Sequence, residues 1–539
     1  MKKVIGLVVV LIVAGVVAFV MYQKQQHQEL VEKILRKSNM VIGIVEMPES
    51  LNPVLAQSKT TSMLADTLFD GLTNLSGRKI DDYELRLASD LIQDGEKLTN
   101  YEIELNTDVA WHDDPKHKFT SDDVLFTYEC IVNPANDSPL RGRISKLIKQ
   151  IKVIDKATLE IQFREAISPS RVGWLLPFKI IPATYFGKPM GKNLKTDPVA
   201  QDFNRQPIGT GPFKFESWQG NQIVLASTLV PDLDLENATE DTLKKEDAIR
   251  SITVTLINDE EKKIKMMIDG NIDLILDSDP DLHDKLNQAG LLHADYIPHY
   301  FYALAFNTEK APFDNKRVRA GISRSINKAA LAAVVWKDSP EKYVNKGPFP
   351  HNGVRQYQGF RELNRYNVKL AKTMMKNVKG KQATMIYSEA GGKAMERIAG
   401  KLVQDMAVGG LTVNAKALGM AFDTQVKNGN FDMALVLHTG FTKGYDITPL
   451  FHSRSAQNIS KISNKKLDAL LLKWQNTAFW TEKLPLSKKI HEALSKESPY
   501  TFLFTLPTRA YYAPRFKEVV IIDPSALLAS VESWTISDN

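Results

Sequence analysis

Val4 to Tyr22 reads VIGLVVVLIVAGVVAFVMY, a run of 19 residues without a charge. At about 1.5 Å of rise per residue, a helix of that length nearly spans the hydrocarbon core of a bilayer, and a helix apolar on every side has no place on the surface of a globular domain. The run divides the chain into a short lipid-seeking segment and a long water-soluble remainder. It is an anchor or an export signal. It exceeds the roughly 7–15 residues of a secretory apolar region, which favours a retained anchor, while Val16-Val17-Ala18 has the small-residue character of a cleavage site. Lys2 and Lys3 precede the run and Lys24, Lys33, Arg36 and Lys37 follow it, so the basic residues alone leave its orientation open. No cysteine near position 20 offers a lipid attachment. The next stretch, QKQQHQELVEKILRKSN, reads as a polar helical stalk.

The remainder is globular in composition, with 43% hydrophobic and 24% charged residues, and its 539-residue length allows two or three domains. A formal charge of +6, dispersed along the chain, lacks the concentrated basic field that nucleic acid requires. One cysteine, Cys130, excludes an intrachain disulfide, a multi-cysteine metal site and an iron–sulfur cluster, and reads as a small core residue on a helix.

Period-two stretches read as half-buried strands: VIGIV from Val41, YEIEL (101–105), TLEIQF (158–163) and SITVTLI (251–257). In the second half NKRVRAGISRSINKAALAAVVW, YNVKLAKTMMKNV and KAMERIAGKLVQDMA read as helices, and ATMIYS, LTVNAKA and FDMALVLH as strands. Strands alternating with helices of this length predict an α/β lobe whose sheet is covered on both faces.

PIGTGPFKFESW (207–218) has the glycines of a phosphate-cradling loop but no Lys-Ser/Thr opening a helix, and Pro212 removes a backbone donor. It predicts a turn into a hairpin that reverses across Gln219-Gly220. WHDDPKH (111–117) gathers two histidines and two aspartates, yet a polar turn ahead of a helix capped by Thr120 or Ser121, with Asp122 and Asp123 facing its positive end, accounts for them without a metal. His438 and His452 read as pocket or surface residues. There is no H-E-x-x-H, G-x-S-x-G or kinase motif, so neither an enzyme nor a cofactor is indicated.

Several blocks in order, ESLNPVLAQSKTTSMLADTLFDGLT (50–73), LASDLIQDGEKLTNYEIELNTDVAWHD (87–113) with FTSDDVLFTYE, PIGTGPFKFESW, MIDGNIDLIL (267–276), APFDNKRVRAGISRSINKAAL (311–331), SNKKLDALL (463–471) and YTFLFTLPTRAYY, resemble the family-5 solute-binding proteins, the peptide- and nickel-binding components of ABC importers. The resemblance implies a two-lobed α/β clamshell of the type II periplasmic-binding-protein class with an extra inserted domain, here preceded by one transmembrane helix. Residues 38–82, 186–300 and 504–539 would form the first lobe, 83–185 the inserted domain and 301–503 the second lobe, with hinge crossings near Tyr300–Tyr302 and Phe502–Phe504.

By the same resemblance the ligand is a peptide or peptide-like solute, held between the lobes by strand-like hydrogen bonds and passed to a permease and ATPase on other chains. The implied wall is Gln57, Ser58 and Lys59 from the first lobe, Tyr300, Tyr302 and Phe504 at the crossings, and Leu437, His438, Thr439, Gly440 and Phe441 from the second. Peptide binders of the family carry an aspartate just after this last strand to pair with the ligand's ammonium. This chain reads LHTGFTKGYDITPLF, with Lys443 nearby and no carboxylate before Asp446. The departure implies a ligand without a free amine, or one with an accessible anionic group. The expected molecule is a monomer at the extracytoplasmic, periplasmic face, anchored by its N-terminus, or soluble there if cleaved after Ala18. A membrane-tethered sensor or scaffold without its own transporter, or a binder of a non-peptide solute, is the alternative.

Overall fold

The structure is a computed structural model that describes all residues except 1, 76–82, 96–97, 188–192, 277, 350–358, 440–445, 478, 522–526 and 538–539, and only the backbone of 2–14, 170 and 480. Its first element is a 37-residue helix, Lys2–Ser38, which passes without a linker into the strand Asn39–Ile44. Among the described residues no helix is long and apolar enough to cross a membrane.

The strand Asn39–Ile44 is the centre of a seven-stranded sheet drawn from remote parts of the chain. Ser251–Leu256 and Leu274–Ile275 pair with it in parallel on its two sides. Gln222–Ser227 and Phe213–Gln219 extend one edge, and Thr508–Tyr512 and Leu292–Tyr296 the other. A separate antiparallel sheet of Ala88–Asp94, Asn100–Leu105, Thr158–Phe163 and Ile148–Asp155 packs against the helix Ser121–Val132, which holds Cys130 at 5% exposure. Thr120 caps that helix, its amide donating to Asp123 at 2.9 Å. The third sheet orders Thr412–Leu418, Gln382–Ser388, Met433–His438, Phe301–Phe306 and Tyr500–Phe504. Along Phe301–Phe306 successive side chains enter opposite clusters, Phe301, Ala303 and Ala305 on one face and Leu304 and Phe306 on the other, so this sheet is covered on both sides.

The hairpin Phe213–Gln219/Gln222–Ser227 forms where the sequence predicts it, with Gly220 at φ +55° in its turn. The single helix read from NKRVRAGISRSINKAALAAVVW is two, Lys316–Ser325 and Lys328–Ala332. The break comes at Ile326, which is extended, because the Asn327 side chain accepts from the Ala330 amide and opens a new helix there.

Candidate functional site

Two crossovers join the body around the seven-stranded sheet to the body around the five-stranded one. The first runs from Tyr296 to Phe301 and the second from Phe504 to Thr508. Thr505 ties them: its hydroxyl donates to the Tyr300 carbonyl at 3.0 Å and accepts from Asn345 Nδ2 at 3.0 Å.

Several of the sequence-predicted residues converge here. Tyr302 pairs with Leu437 across one strand junction and with Phe504 across the other, and Phe301 pairs with His438. The Tyr300 and Tyr302 rings meet edge-on at 5.8 Å. Both tyrosines and Leu437 are half-buried, and Thr439, one residue beyond the strand, is exposed. From the other lobe Lys59 reaches this corner, its Nζ donating to the Tyr296 hydroxyl at 3.1 Å, which in turn donates to the Leu276 carbonyl at 2.9 Å.

Other expectations need correction. Phe504 is fully buried, its ring 5.1 Å from that of Tyr302, so it backs the wall rather than forming its surface. The second crossing accordingly lies after Phe504, not at Phe502–Phe504. Ser58 caps the helix Lys59–Leu68 by accepting from the Thr61 amide at 3.1 Å, which occupies its hydroxyl. Gln57 is exposed beside it. His438 turns inward, stacked on Tyr500 at 5.4 Å and 8° and against Phe301 at 5.2 Å. Its Nε2 has no hydrogen-bond partner among the described residues, and burial lowers the imidazole pKa to about 4. Asp446 is likewise engaged: one carboxylate oxygen accepts from the Thr448 amide at 2.9 Å and the other from Gln475 Nε2 at 3.1 Å. Gly440, Phe441 and Lys443 lie outside the described residues.

Residues the sequence did not single out also face this region. Lys483 is buried with Nζ 4.1 Å over the Trp474 ring, and burial, reinforced by Arg171, lowers its pKa to about 8 against the pull of Asp446 and Glu165. Arg171 and Glu165 follow the four-stranded module, so that module and the second lobe share one electrostatic environment. No group of three or more His, Cys, Asp or Glu able to hold a metal occurs among the described residues. In WHDDPKH, His112 instead clips the glycine loop, accepting from Gly209 N at 3.3 Å and donating to Gly211 O at 2.9 Å.

The lobes also touch beside the crossovers. Trp336 of the second lobe, 2% exposed, meets the His283 ring edge-on at 5.2 Å and lies 5.0 Å beneath the Arg509 guanidinium. Arg509 holds Asp295 of its own lobe at 2.6 and 2.8 Å and Asp338 of the other at 2.9 Å. Farther out, Arg397 grips Asp281 through two bonds of 2.6 Å, and Lys337 reaches Asp284 at 3.2 Å. These outer pairs are exposed, so each is worth about 0–1 kcal/mol, which is little for folding but enough to bias two lobe arrangements of similar energy. Arg397→Ala is expected to leave the unfolding midpoint nearly unchanged while broadening the distribution of distances between spin labels on the two lobes. An unchanged distribution would count against the bias.

Two lobes, each centred on its own sheet, are thus joined by two chain crossovers with a half-buried aromatic corner beside them. The model for bacterial extracellular solute-binding proteins, family 5 (Middle), matches residues 82–460. The chain belongs to this family. Among family-5 relatives, the oligopeptide-binding protein AppA of Bacillus subtilis (strain 168) is 22% identical over 532 residues, covering 93% of this chain and 92% of that one. The ABC transporter substrate binding protein CtaP of Listeria monocytogenes superposes with a TM-score of 0.78 at 20% identity, over 93% of this chain and 99% of its own. The Bacillus subtilis AppA structure, solved with a nonapeptide, superposes at 0.66 and 18% identity over 93% and 99%. The two-lobed fold and a substrate-binding role are therefore those of family 5.

Proposed function

We propose that this protein is the substrate-binding component of an ABC importer, which captures a peptide or peptide-like solute between its lobes at the extracytoplasmic face and delivers it to a permease and ATPase on other chains. The ligand wall is Lys59, Tyr300, Tyr302, Leu437 and Thr439, joined by the segment containing Lys443, with the domain limits anticipated from the resemblance. The apolar run Val4–Tyr22 anchors the protein in the membrane, and binding involves no chemistry.

The observation that carries the choice of ligand is the state of Asp446. Both of its oxygens serve the protein's own Thr448 amide and Gln475, and Lys483 stands nearby. The Asp446 carboxylate is thus oriented by its own loop and helix, with Lys483 among the charges it faces, which supports a blocked or anionic ligand over a free-amine peptide.

The test is mass spectrometry of small molecules released on denaturing the full chain purified from an exporting host. A single blocked or anionic species is expected. A ladder of peptides with free N-termini would overturn the ligand assignment, and Asp446→Asn weakening such peptides more than tenfold would make Asp446 their clamp.

A further inference from the structure

We propose that residues 27–38 are a rigid strut rather than a loose tether, and that through it the first lobe is held in a fixed orientation on the lipid bilayer while the second lobe does the moving. The inference rests on the membrane reading of Val4–Tyr22 and extends it to the folded body.

The helix Lys2–Ser38 enters the central strand directly, and its last three turns are bound to the first lobe along their length. At the lobe end, Asp273 is 1% exposed and receives Arg36 through Nη1 at 2.9 Å and Nη2 at 3.1 Å, Arg515 at 3.0 Å, and the Val41 amide at 2.9 Å. Arg36 also donates to the Gly270 carbonyl at 2.6 Å, and Arg515 to the carbonyls of Lys37 and Asn39. Beside it Lys37 Nζ donates to Leu243 O at 2.9 Å, and nearer the N-terminus Ile34 is fully buried and His27 Nε2 donates to Leu235 O at 3.0 Å. A buried carboxylate shared by two guanidiniums resists breaking, because removing one partner leaves charge stranded in a poor solvent.

The occupant at the other end follows from exposure. Val16, Phe19, Val20, Met21 and Tyr22 are all between 57% and 68% exposed, and consecutive helical residues point in every direction around the axis. No protein surface among the described residues covers them, and a helix apolar all round requires lipid. Four residues, spanning about 8 Å of helix rise, separate Tyr22 from the first docked residue, His27. A flexible linker would let the body tumble; a continuous helix of this length does not. The loop at Leu235 is therefore kept near the headgroups, whereas Met420, fully exposed on the second lobe, touches neither the strut nor the first lobe that carries it.

The experiment uses the full chain in nanodiscs containing nitroxide-headgroup lipid, with a fluorophore on Leu235→Cys or Met420→Cys. Cys130 stays unlabelled because it is buried and its thiol pKa is pushed up to about 12. Quenching several-fold stronger at 235 than at 420 is expected, as is collapse of that contrast when a Gly-Ser insertion between Gln25 and Gln26 uncouples the strut without touching the body. Equal, partial quenching at both positions in the uninterrupted chain would overturn the strut while leaving the anchor intact. Failure of the chain to enter nanodiscs, with neither label quenched, would overturn the membrane reading itself.

Discussion

Gly209→Ala is expected to destabilise the protein by about 3 kcal/mol or more, or to abolish folding, although it adds one methyl group to a loop. A Cβ at Gly209 would lie 2.8 Å from the Leu68 carbonyl carbon and closer still to its oxygen. The obstacle is backbone, so no rotamer change can clear it. The loop cannot retreat either. Gly211 N donates to Leu68 O at 3.0 Å, His112 N to Gly209 O at 3.0 Å, and the His112 ring clamps both glycines. Moving the loop would break this set together and detach the module bearing His112 from the helix Lys59–Leu68, whose first residue reaches the aromatic corner. Thermal unfolding of the variant beside Gly142→Ala, an exposed glycine without a positive φ whose added Cβ meets nothing within 4 Å, separates close approach from loss of glycine itself. Comparable midpoints for the two would refute the clash.

That same loop illustrates what the sequence discloses. Its glycines, the missing Lys-Ser/Thr and the alternation beyond Pro212 identify a turn and hairpin because those signals are local. The reason for the glycines is not local, since Leu68 and His112 are both more than ninety positions away. Half-buried strands show through period two, and the Thr120–Asp123 cap through its spacing. The split at Asn327 was hidden because its apolar spacing continues across the break, and only the side-chain cap marks it. At the site, Tyr300, Tyr302, Leu437 and Thr439 were accessible only through resemblance, since each alone reads as an ordinary strand residue. Trp336 beneath Arg509, and Asp273 between Arg36 and Arg515, were not legible at all. Each is a contact between segments far apart in the chain, and a lysine such as Lys483 within a helix rich in charges reads as solvated until its neighbours are placed.

Acid is expected to destabilise the protein well before its carboxylates titrate. His112 and His438 are both held near a pKa of about 4 by burial, against 6.5 for a free imidazole. For His112, a second ring proton would confront the Gly209 amide it now accepts from; for His438 it would place a cation between Phe301 and Tyr500. Above pH 6.5 both rings are neutral in folded and unfolded chains, so stability does not change with pH through them. Between 6.5 and 4 the unfolded chain binds protons that the folded chain refuses, and stability falls by about 1.4 kcal/mol per pH unit for each histidine, approaching about 3 kcal/mol apiece. Below 4 the folded rings titrate too and the loss stops growing. The buried carboxylates Asp70 and Asp123, whose pKa values burial raises, act in the opposite sense once pH enters their range, so the steepest loss lies in the upper part of the window. Denaturant unfolding from pH 7.5 to 4.5 measures the slope. His438→Phe should make the slope shallower while preserving the aromatic stack, with His112 and the buried His283 and His491, whose pKa values burial also lowers, carrying the remainder. A stability that stays level from pH 7 to 5 would mean that the two rings take up protons in the folded state, and that neither is buried as the structure has it.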